Sequence, residues 1–313
     1  MEGVEAVRAK PATPATEALP QPRRHRQPVA AVFRLRGRIV IVVLNQKGGA
    51  GKTTTAMTLA ALWAAAGLPV FLVDNDPQLG GCTGVLLRHL LVAADGTRLI
   101  ELPKGTPNLR GVYYGEYTLA EAAVEVSPNL FLVPSDQTLK DVENRQRTGD
   151  EYLLREQIDT LPEDAVVILD CPPSLKLLTV GALVAGQELV VPLKASGYDL
   201  PALTELDNTL RIVRKRLNPG LRTTAVLVTD AHEDNLTEGV FLSLLREYKE
   251  AEVLKIPHSV RVGEAPTMGR TLVAHAPNSS PVKAYRRLAN RILPGSVPIP
   301  TARPARKKVR GRG

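Results

Sequence analysis

Residues 47–54, which read KGGAGKTT, constrain this chain more than any other feature. They follow an apolar run at 39–44 and precede a helix-like segment at 54–66. A strand, a glycine-rich turn and a helix N-terminus form a phosphate cradle, because the backbone N–H groups of the turn and the positive end of the helix dipole point to one place. The pattern therefore predicts a phosphate-binding loop made of Lys47, Gly48, Gly49, Ala50, Gly51, Lys52, Thr53 and Thr54.

Two side chains of this loop have defined tasks in such a cradle. Lys52 reaches the β- and γ-phosphates of a nucleotide, and the Thr53 hydroxyl ligates Mg²⁺. The strict pattern requires glycine at position 46, where this chain has Gln46, and a second lysine, Lys47, stands at the start of the loop. The alternative is a glycine-rich turn with incidental lysines, which leaves the spacing and the strand-to-helix position unexplained.

Composition narrows the class of protein. The 313 residues suit one large α/β domain with tails or two small domains, and a hydrophobic content of 44% is enough for a substantial core. Because no run of about 18 uncharged apolar residues occurs, we expect no transmembrane helix, and the N-terminus lacks the apolar stretch of a secretory signal.

We expect Cys82 and Cys171 to be buried thiols in a reducing cytoplasm. The five histidines are scattered and match no metal-binding motif.

The net charge of +8 is concentrated at the two ends. Residues 301–313 contain six basic and no acidic residues, and residues 1–37 contain seven basic and three acidic residues, which leaves the remainder of the chain at −2. Basic tails suit a polyanion such as DNA or an anionic membrane surface. A tail that only increases solubility is the alternative.

The chain divides into three predicted regions. Residues 1–37 are rich in Pro, Ala and Arg and are expected to be disordered, residues 38–296 alternate strand-like and helix-like segments, and residues 297–313 form a second disordered, basic tail. Most of the strand-like runs are continuously apolar, as in strands covered on both faces. We predict an α/β fold of the P-loop NTPase type, a doubly wound and mostly parallel sheet flanked by helices. The predicted strands are 39–44, 70–74, 130–134, 165–170, 189–192, 224–229 and 253–257.

Two segments, 199–217 and 281–293, show helical periodicity with an apolar inner side and a basic outer side. Asp199 is the predicted N-cap of the first. The inner positions are Leu203, Leu206, Leu210, Val213 and Leu217 in the first helix and Val282, Tyr285, Leu288 and Ile292 in the second. The basic residues are Arg211, Arg214, Lys215 and Arg216 in the first and Lys283, Arg287 and Arg291 in the second.

Acidic residues follow two of the predicted strands. Asp170 ends the run at 165–170 and precedes Cys171-Pro172-Pro173, a context that favours a carboxylate holding the water shell of a metal ion over an ordinary turn residue. The second strand ends in the segment 74–78, DNDPQ, which contains Asp74 and Asp76. Beside a phosphate loop, a carboxylate near the γ-phosphate is a reasonable acceptor for water, and an Asx-type turn is the alternative.

These motifs together resemble the ParA/MinD family of ATPases. KGGAGKTT resembles the deviant Walker A motif of that family, DNDPQ resembles its D-x-D-P-Q element, and 170–178 resembles its D-C-P-P-S-L block. Residues 256–261, continuing through Glu264-Ala265-Pro266 and Gly269, resemble its late block near the nucleotide base. The resemblance covers most of 39–293 and is strongest to the ParA branch, which partitions chromosomes and plasmids.

The resemblance implies roles for individual residues. Lys47, Asp76 and Lys52 are the expected catalytic residues: Lys47 reaches the γ-phosphate of a partner subunit and Asp76 positions the attacking water. Thr53 and Asp170, with weaker support from Asp74, are expected at Mg²⁺. Pro257 is a weaker candidate near the base of ATP.

It also implies a function: a cytoplasmic, nucleoid-associated ATPase that forms an ATP-dependent sandwich homodimer and binds DNA without sequence preference. Hydrolysis is expected to be slow until a ParB-like centromere-binding partner stimulates it. The basic residues of the two helices listed above are the candidate DNA contacts, and solvated helix surfaces are the alternative.

Departures from the family pattern concern the base pocket and the dimer surface. Leu79-Gly80-Gly81 replaces the usual Gly-Asn, Ser259 stands where Asn is frequent, and the loop at 229–236 lacks the usual Arg. A MinD-like or other cargo-positioning ATPase, acting at a membrane or a protein cluster, is the alternative function. The C-terminal tail offers Val309 as its largest apolar side chain, too little for a stable membrane anchor.

Overall fold

The computed structural model describes residues 35 and 37–298, apart from 79, 94, 146 and 196–198, and it leaves the side chains of 199–202 undescribed. Eight strands form one sheet in this part of the chain. They are β1 Ile39–Val43, β2 Val70–Asp74, β3 Val124–Ser127, β4 Leu130–Val133, β5 Val166–Asp170, β6 Glu188–Lys194, β7 Arg222–Ala231 and β8 Glu252–Pro257.

The strand order is β3-β4-β2-β5-β1-β6-β7-β8, and all neighbours are parallel except β3 and β4, which are antiparallel. The predicted fold class is therefore confirmed. All seven predicted strands are present with bounds that differ by at most a few residues. Because β1 lies inside the sheet between β5 and β6, the loop that follows it emerges at the centre of one sheet edge.

Helices cover both faces of the sheet. Short 3₁₀ turns lie at Arg88–Leu91 and Gln137–Leu139. The α-helices are α1 Lys52–Ala65, α2 Cys82–Leu86, α3 Leu109–Tyr114, α4 Lys140–Asn144, α5 Asp150–Ile158, α6 Leu177–Ala185, α7 Asp199–Arg216, α8 Asn235–Glu247, α9 Val260–Thr267, α10 Leu272–His275 and α11 Ser280–Ile292.

The sheet separates two hydrophobic cores, and β1 contributes to both. Val40 and Val42 belong to the core beneath α3, α5, α6, α7 and α8, which we call the α7 face. Ile41 and Val43 belong to the core beneath α1 and α11, which we call the α1 face. Successive side chains of a strand point to opposite faces, so both sets must be apolar when both faces are covered. This is the physical reason for the continuous apolar runs in the sequence.

Helix α1, which follows the predicted phosphate loop, is fastened to the C-terminal part of the domain. The indole of Trp63 is fully buried and donates to the Ser296 hydroxyl at 3.0 Å. The Thr55 and Tyr285 hydroxyls are hydrogen-bonded at 2.9 Å, which links α1 to α11. Buried polar groups of aromatic side chains need such partners, and here both bonds join distant parts of the chain.

Strand β3 is the element that the sequence patterns did not predict. It is four residues long, lies at the edge of the sheet, and alternates half-buried and exposed side chains. A search for continuous apolar runs misses such a strand. The available signal was the V-x-V alternation before Pro128-Asn129, where Asn129 has a φ of 64° and closes a turn into β4.

The two amphipathic helices lie on opposite faces of the sheet. The predicted inner residues of α7, such as Leu206 and Leu210, are buried on the α7 face, and those of α11, such as Tyr285 and Leu288, are buried on the α1 face. Asp199 is the first residue of α7 instead of its N-cap. None of the described helices has the length and hydropathy needed to cross a bilayer. The predicted tails lie mostly outside the described residues, so the predicted region boundaries remain predictions.

Candidate nucleotide-binding site

The candidate site forms where three neighbouring strands of the sheet end. Val43, the last residue of β1, is paired with Asp170 at the end of β5, and Asp74 at the end of β2 is paired with the same Asp170. Paired residues on parallel strands project to the same side of the sheet. The register therefore brings Asp74 and Asp170 together beside the loop that follows β1, although 96 positions separate them in the sequence.

The loop from residue 47 to 51 leads directly into the N-terminus of α1. Gly51 is the N-cap of α1 with a φ of 90°, in the left-handed region that favours glycine. A Cβ at Gly51 would also lie 3.2 Å from Cγ2 of Thr229, a tight contact, so the conformation favours glycine there and the limited space adds to the preference. Among the described residues no side chain caps the N-terminus of α1. Its N–H groups are therefore available to an anion.

Lys52 lies inside this cradle. Its side chain is buried, and Nζ donates to the carbonyl oxygen of Lys47 at 3.3 Å, which directs the ammonium group back across the loop. Burial lowers the pKa of Lys52, and the nearby carboxylates of Asp170 and Asp76 act in the opposite direction. A lysine held in this position can meet a phosphate without a large rearrangement.

Lys47 begins the loop at a fixed position. Its backbone N–H donates to Oδ1 of Asn45 at 3.0 Å, and Nδ2 of Asn45 donates to the carbonyl oxygen of Pro192 in β6 at 2.7 Å. The start of the loop is thus tied to the neighbouring strand. Gly48 and Gly49 are exposed, so this side of the loop faces outward.

The donor set around Asp170 fits a divalent cation. Asp170 is fully buried, and its Oδ1 has no hydrogen-bond partner among the described residues, while Oδ2 accepts from the Cys82 thiol at 3.4 Å. Burial raises the pKa of Asp170 to about 6, and the Thr53 hydroxyl beside it acts in the opposite direction. A buried, unsatisfied carboxylate oxygen beside a threonine hydroxyl suits a Mg²⁺ ion that keeps part of its water shell.

Asp74 is buried like Asp170, and its Oδ1 likewise has no hydrogen-bond partner among the described residues. Oδ2 accepts from the backbone N–H of Thr83 at 2.7 Å, and a Cβ at Gly81 would lie 2.6 Å from Oδ1. Burial, followed by the charge of Asp170, raises the pKa of Asp74 to about 8. Asp74 is therefore mostly protonated at neutral pH in the absence of a cation. The close approach of Gly81 to Asp74 also explains why one position of the segment 79–81, which differs from the family pattern, is a glycine.

Asp76, the expected water-orienting carboxylate, makes the Asx turn that was its alternative interpretation. Its Oδ1 accepts from the backbone N–H of Gln78 at 2.9 Å, and its carbonyl oxygen accepts from the Ser135 hydroxyl at 2.9 Å. Burial raises the pKa of Asp76, and the Gln78 N–H and the Lys52 ammonium group lower it. The turn and the functional interpretation are compatible, since the turn fixes the carboxylate near Lys52.

A cavity of about 350 Å³ continues from the loop toward the ends of β7 and β8. Gly51 and Thr54 line one side of it and Pro257, the weaker sequence candidate, lines the other. Its size and its position beside the phosphate cradle suit the sugar and base of a nucleotide.

Thr229 is a residue of the site that the motifs did not identify. Its hydroxyl is placed 2.9 Å from the carbonyl oxygen of Ala50 and 3.1 Å from that of Leu193, which ties the phosphate loop to β6 and β7. The signal in the sequence was weak: a threonine at the end of a predicted strand, 179 positions from Ala50. Cys82 was expected to be buried, and this is confirmed, but its contact with Asp170 was not foreseen.

The candidate DNA contacts do not form one surface within a subunit, because α7 and α11 lie on opposite faces of the sheet. Arg211, Lys215 and Arg216 are exposed on α7. Arg214 is half-buried and donates to the carbonyl oxygen of Leu221 at 2.9 Å and to the Thr223 hydroxyl at 2.7 Å, which fastens the end of α7 to the start of β7.

On α11, Lys283 and Arg287 are exposed. Arg291 forms an ion pair with Glu252, with Nε and Oε2 3.3 Å apart. The two helices therefore offer separate basic patches, the α7 patch (Arg211, Lys215 and Arg216) and the α11 patch (Lys283 and Arg287).

A glycine loop after a central parallel strand, a buried lysine at the start of the next helix and acids at two adjacent strand ends define the class: a P-loop ATPase fold. Residues 38–223 match a family model described as an AAA domain, more than half of the chain. With the relatives described next, these observations show that the chain belongs to the ParA/Soj family of partitioning ATPases.

Two relatives and one solved structure illustrate the relationship. The chain is 37% identical over 258 residues to the chromosome-partitioning ATPase Soj of Thermus thermophilus, covering 81% of this chain and 94% of the relative. It is 34% identical over 262 residues to the chromosome partitioning protein ParA of Caulobacter vibrioides, covering 81% and 93%. A structure of cobyrinic acid a,c-diamide synthase from Mycobacterium smegmatis, with a bound ATP analogue and magnesium, is 29% identical with a TM-score of 0.64, covering 82% of this chain and 94% of that one.

Proposed function

We propose that this chain is an ATP-hydrolysing partitioning protein that segregates chromosome or plasmid DNA. It forms a sandwich homodimer when ATP is bound, the dimer binds DNA without sequence preference, and a ParB-like centromere-binding partner releases it by stimulating hydrolysis. The observation that carries the proposal is the grouping of Lys52, Asp76 and Asp170 around one glycine loop that begins with a second lysine. The names of the relatives support the partitioning role.

The residues divide the chemistry of hydrolysis among them. The loop N–H groups and the Lys52 ammonium group bind the triphosphate, and Asp76 orients the attacking water and accepts its proton. Thr53 and Asp170 would hold Mg²⁺, which supplies charge neutralisation at the phosphate oxygens, with a weaker role for Asp74. Because the Asp76 carboxylate also repels the γ-phosphate, turnover is slow until the partner acts.

The exposed loop makes dimerisation dependent on ATP. Two subunits that face each other across their phosphate loops would bring two triphosphates together, and Lys47 of each subunit would neutralise the γ-phosphate of the other. ATP then favours the dimer because it binds the dimer more tightly than the monomer.

Gly48 provides a test of this interface. A Cβ at Gly48 meets no described atom within 4 Å, so Gly48→Val should fold normally as a monomer yet obstruct the close approach of a second subunit. Light scattering with ATP should show dimers for the wild type and monomers for the variant. Gly239→Val, also without a close neighbour and exposed on α8, is the control that should still dimerise. Normal dimers of Gly48→Val would contradict the sandwich arrangement.

DNA binding is proposed to use the α7 patch, because its three cations are exposed on neighbouring turns of one helix. Non-specific affinity falls by roughly 0.9 log units per log unit of salt for each phosphate contact. Changing Arg211, Lys215 and Arg216 together to Ala should therefore weaken binding and reduce the salt slope. The matched control is the double change Lys283→Ala and Arg287→Ala on the opposite face.

The experiment is fluorescence anisotropy of duplex DNA with ATP, ADP or no nucleotide across a salt series. We expect DNA binding with ATP but not with ADP or without nucleotide, and a smaller salt dependence of the affinity for the α7 variant. A wild-type affinity and slope in that variant would exclude the α7 patch, and ATP-dependent flotation with anionic liposomes in place of DNA binding would favour the MinD-like alternative.

Asp76→Ala tests the hydrolytic step separately. The carboxylate is not needed to hold the triphosphate, so the variant should bind ATP, hydrolyse it far more slowly and accumulate as an ATP-dependent dimer on DNA. Turnover at the wild-type rate, measured by phosphate release, would show that another group orients the water.

A further inference from the structure

A second cluster of ligand-type side chains lies outside the phosphate loop. Asp230 is near the end of β7, His232 follows that strand, and His258 follows β8. One ligand atom from each of the three side chains lies within 4.8 Å of the other two. Adjacent parallel strands end at the same sheet edge, so residues 28 positions apart in the sequence meet there.

The backbone is shaped to bring the three side chains together. Asp230 has a φ of 55°, an uncommon conformation for a residue other than glycine. The register between β7 and β8 shifts between Val228 and Ala231, an irregularity of the kind that redirects side chains at strand ends. The backbone N–H of His258 donates to the carbonyl oxygen of Ala231 at 2.9 Å, which holds the two strand ends together.

The side chains of the cluster contact one another and remain reachable from solvent. Nδ1 of His258 lies 2.6 Å from Oδ1 of Asp230, and the His232 and His258 rings stack with centroids 4.4 Å apart. The side chains of Asp230 and His258 are 40% and 47% exposed.

We propose that Asp230, His232 and His258 bind a divalent transition-metal ion such as Zn²⁺, with water completing a tetrahedral shell. Two imidazoles and one carboxylate form a donor set that zinc prefers, whereas Mg²⁺ prefers oxygen ligands. Two ligands about 2.0 Å from a tetrahedral ion lie about 3.3 Å apart. The hydrogen-bonded pair of Asp230 and His258 would therefore open by less than about 1 Å. Because a ligating nitrogen must be unprotonated, the proton between Nδ1 and the carboxylate would be released to solvent, and the neutral ring would keep its one proton on Nε2.

The site is distinct from the magnesium site and borders the nucleotide cavity. Asp230 and His258 line that cavity together with Lys194, whose Nζ lies 3.2 Å from Oδ2 of Asp230. Lys194 competes electrostatically with a bound cation, since both are attracted by the same carboxylate. The proposal does not depend on partitioning, because zinc binding can be measured without nucleotide, Mg²⁺ or DNA.

The test is calorimetric titration of the full chain with Zn²⁺, with Co²⁺ absorption as a second measurement that reports imidazole ligands and tetrahedral geometry. His232→Ala and His258→Ala should each bind Zn²⁺ at least about tenfold more weakly than the wild type. His89→Ala is the matched control, since His89 is an exposed histidine on another segment and should leave affinity unchanged. Circular dichroism checks that each variant is folded.

A further variant is expected to raise the affinity for Zn²⁺ instead of lowering it. Lys194→Met removes the competing cation and should bind Zn²⁺ more tightly. Absence of zinc uptake by the wild type, or wild-type affinity in both histidine variants, would overturn the proposal. Wild-type affinity in both histidine variants would place the ion at another group of residues, such as the buried Asp74, Cys82 and Asp170. An unchanged or weaker affinity in Lys194→Met would contradict Asp230 as a ligand.

Discussion

Asp74→Asn is the perturbation whose consequence follows most directly from the geometry. Asp74 is fully buried beside Asp170, and its pKa is raised from 3.8 to about 8. Between these two values the folded protein keeps a proton on this carboxyl group and the unfolded chain does not. The folded state then binds one more proton, so the free energy of unfolding falls as pH rises. The stabilising contribution is fully present below about pH 4 and is lost as pH rises through about 8.

The magnitude follows from that one proton. Each pH unit inside the window changes the free energy of unfolding by about 1.4 kcal/mol. From about pH 6 to about pH 7.5 the wild type should therefore lose roughly 2 kcal/mol through Asp74. Asn has nearly the same shape, can accept the Thr83 N–H, and does not titrate. The stability of Asp74→Asn relative to the wild type should rise by roughly 2 kcal/mol over this range.

The assay is urea unfolding of both proteins at the two pH values, without nucleotide or Mg²⁺. Comparing the two proteins cancels the titration of the other acidic groups, including that of Asp170, whose pKa of about 6 lies at the lower end of the range. A difference between variant and wild type that does not change with pH would refute the reasoning, because it would mean that Asp74 is already ionised in the fold.

Three further predictions concern a glycine beside Asp74, the lysine of the phosphate loop and the C-terminal segment. Gly81→Ala should destabilise the fold by about 1–3 kcal/mol in urea unfolding, because its Cβ would lie 2.6 Å from Oδ1 of the enclosed Asp74. The control Gly80→Ala, whose Cβ would meet no described atom within 4 Å, should be nearly neutral. Equal effects of the two variants would contradict the contact. Lys52→Ala should cost about 2–5 kcal/mol in ATP binding by calorimetry, whereas the exposed Lys104→Ala should not, and normal affinity in the first would remove the phosphate-loop interpretation. Deletion of residues 301–313 should weaken DNA binding and flatten its salt dependence in anisotropy titrations; no change would assign that segment to solubility.

The predictability of the fold differed between elements for a physical reason. Strands such as β1 and β5 are covered on both faces, so nearly every position is apolar and the run stands out in the sequence. The edge strand β3 is covered on one side only, so its weak alternation was missed. Helices α7 and α11 were predicted with nearly correct bounds, because burial of one side of a helix imposes a period that local sequence displays.

The candidate site was predictable where its residues are consecutive in the chain. The loop at 47–54 has its glycines and lysines at fixed positions within one short segment. Asp74, Asp76 and Asp170 stand at or just after strand ends that can be recognised in the sequence. Contacts that depend on the pairing of distant strands were not predictable, such as the hydroxyl of Thr229 against Ala50. The sequence also could not show that Arg214 is committed to hydrogen bonds with Leu221 and Thr223.

The sequence alone therefore determined the class of fold and predicted the phosphate loop and the acids around it, because backbone conformation and strand burial are local properties that leave local patterns. Only the tertiary structure decided which scattered side chains become neighbours. It placed the α7 and α11 patches on opposite faces, and it brought two of the scattered histidines, His232 and His258, beside Asp230 at one sheet edge. Such proximity depends on strand order and register, and no single segment of the chain carries that information.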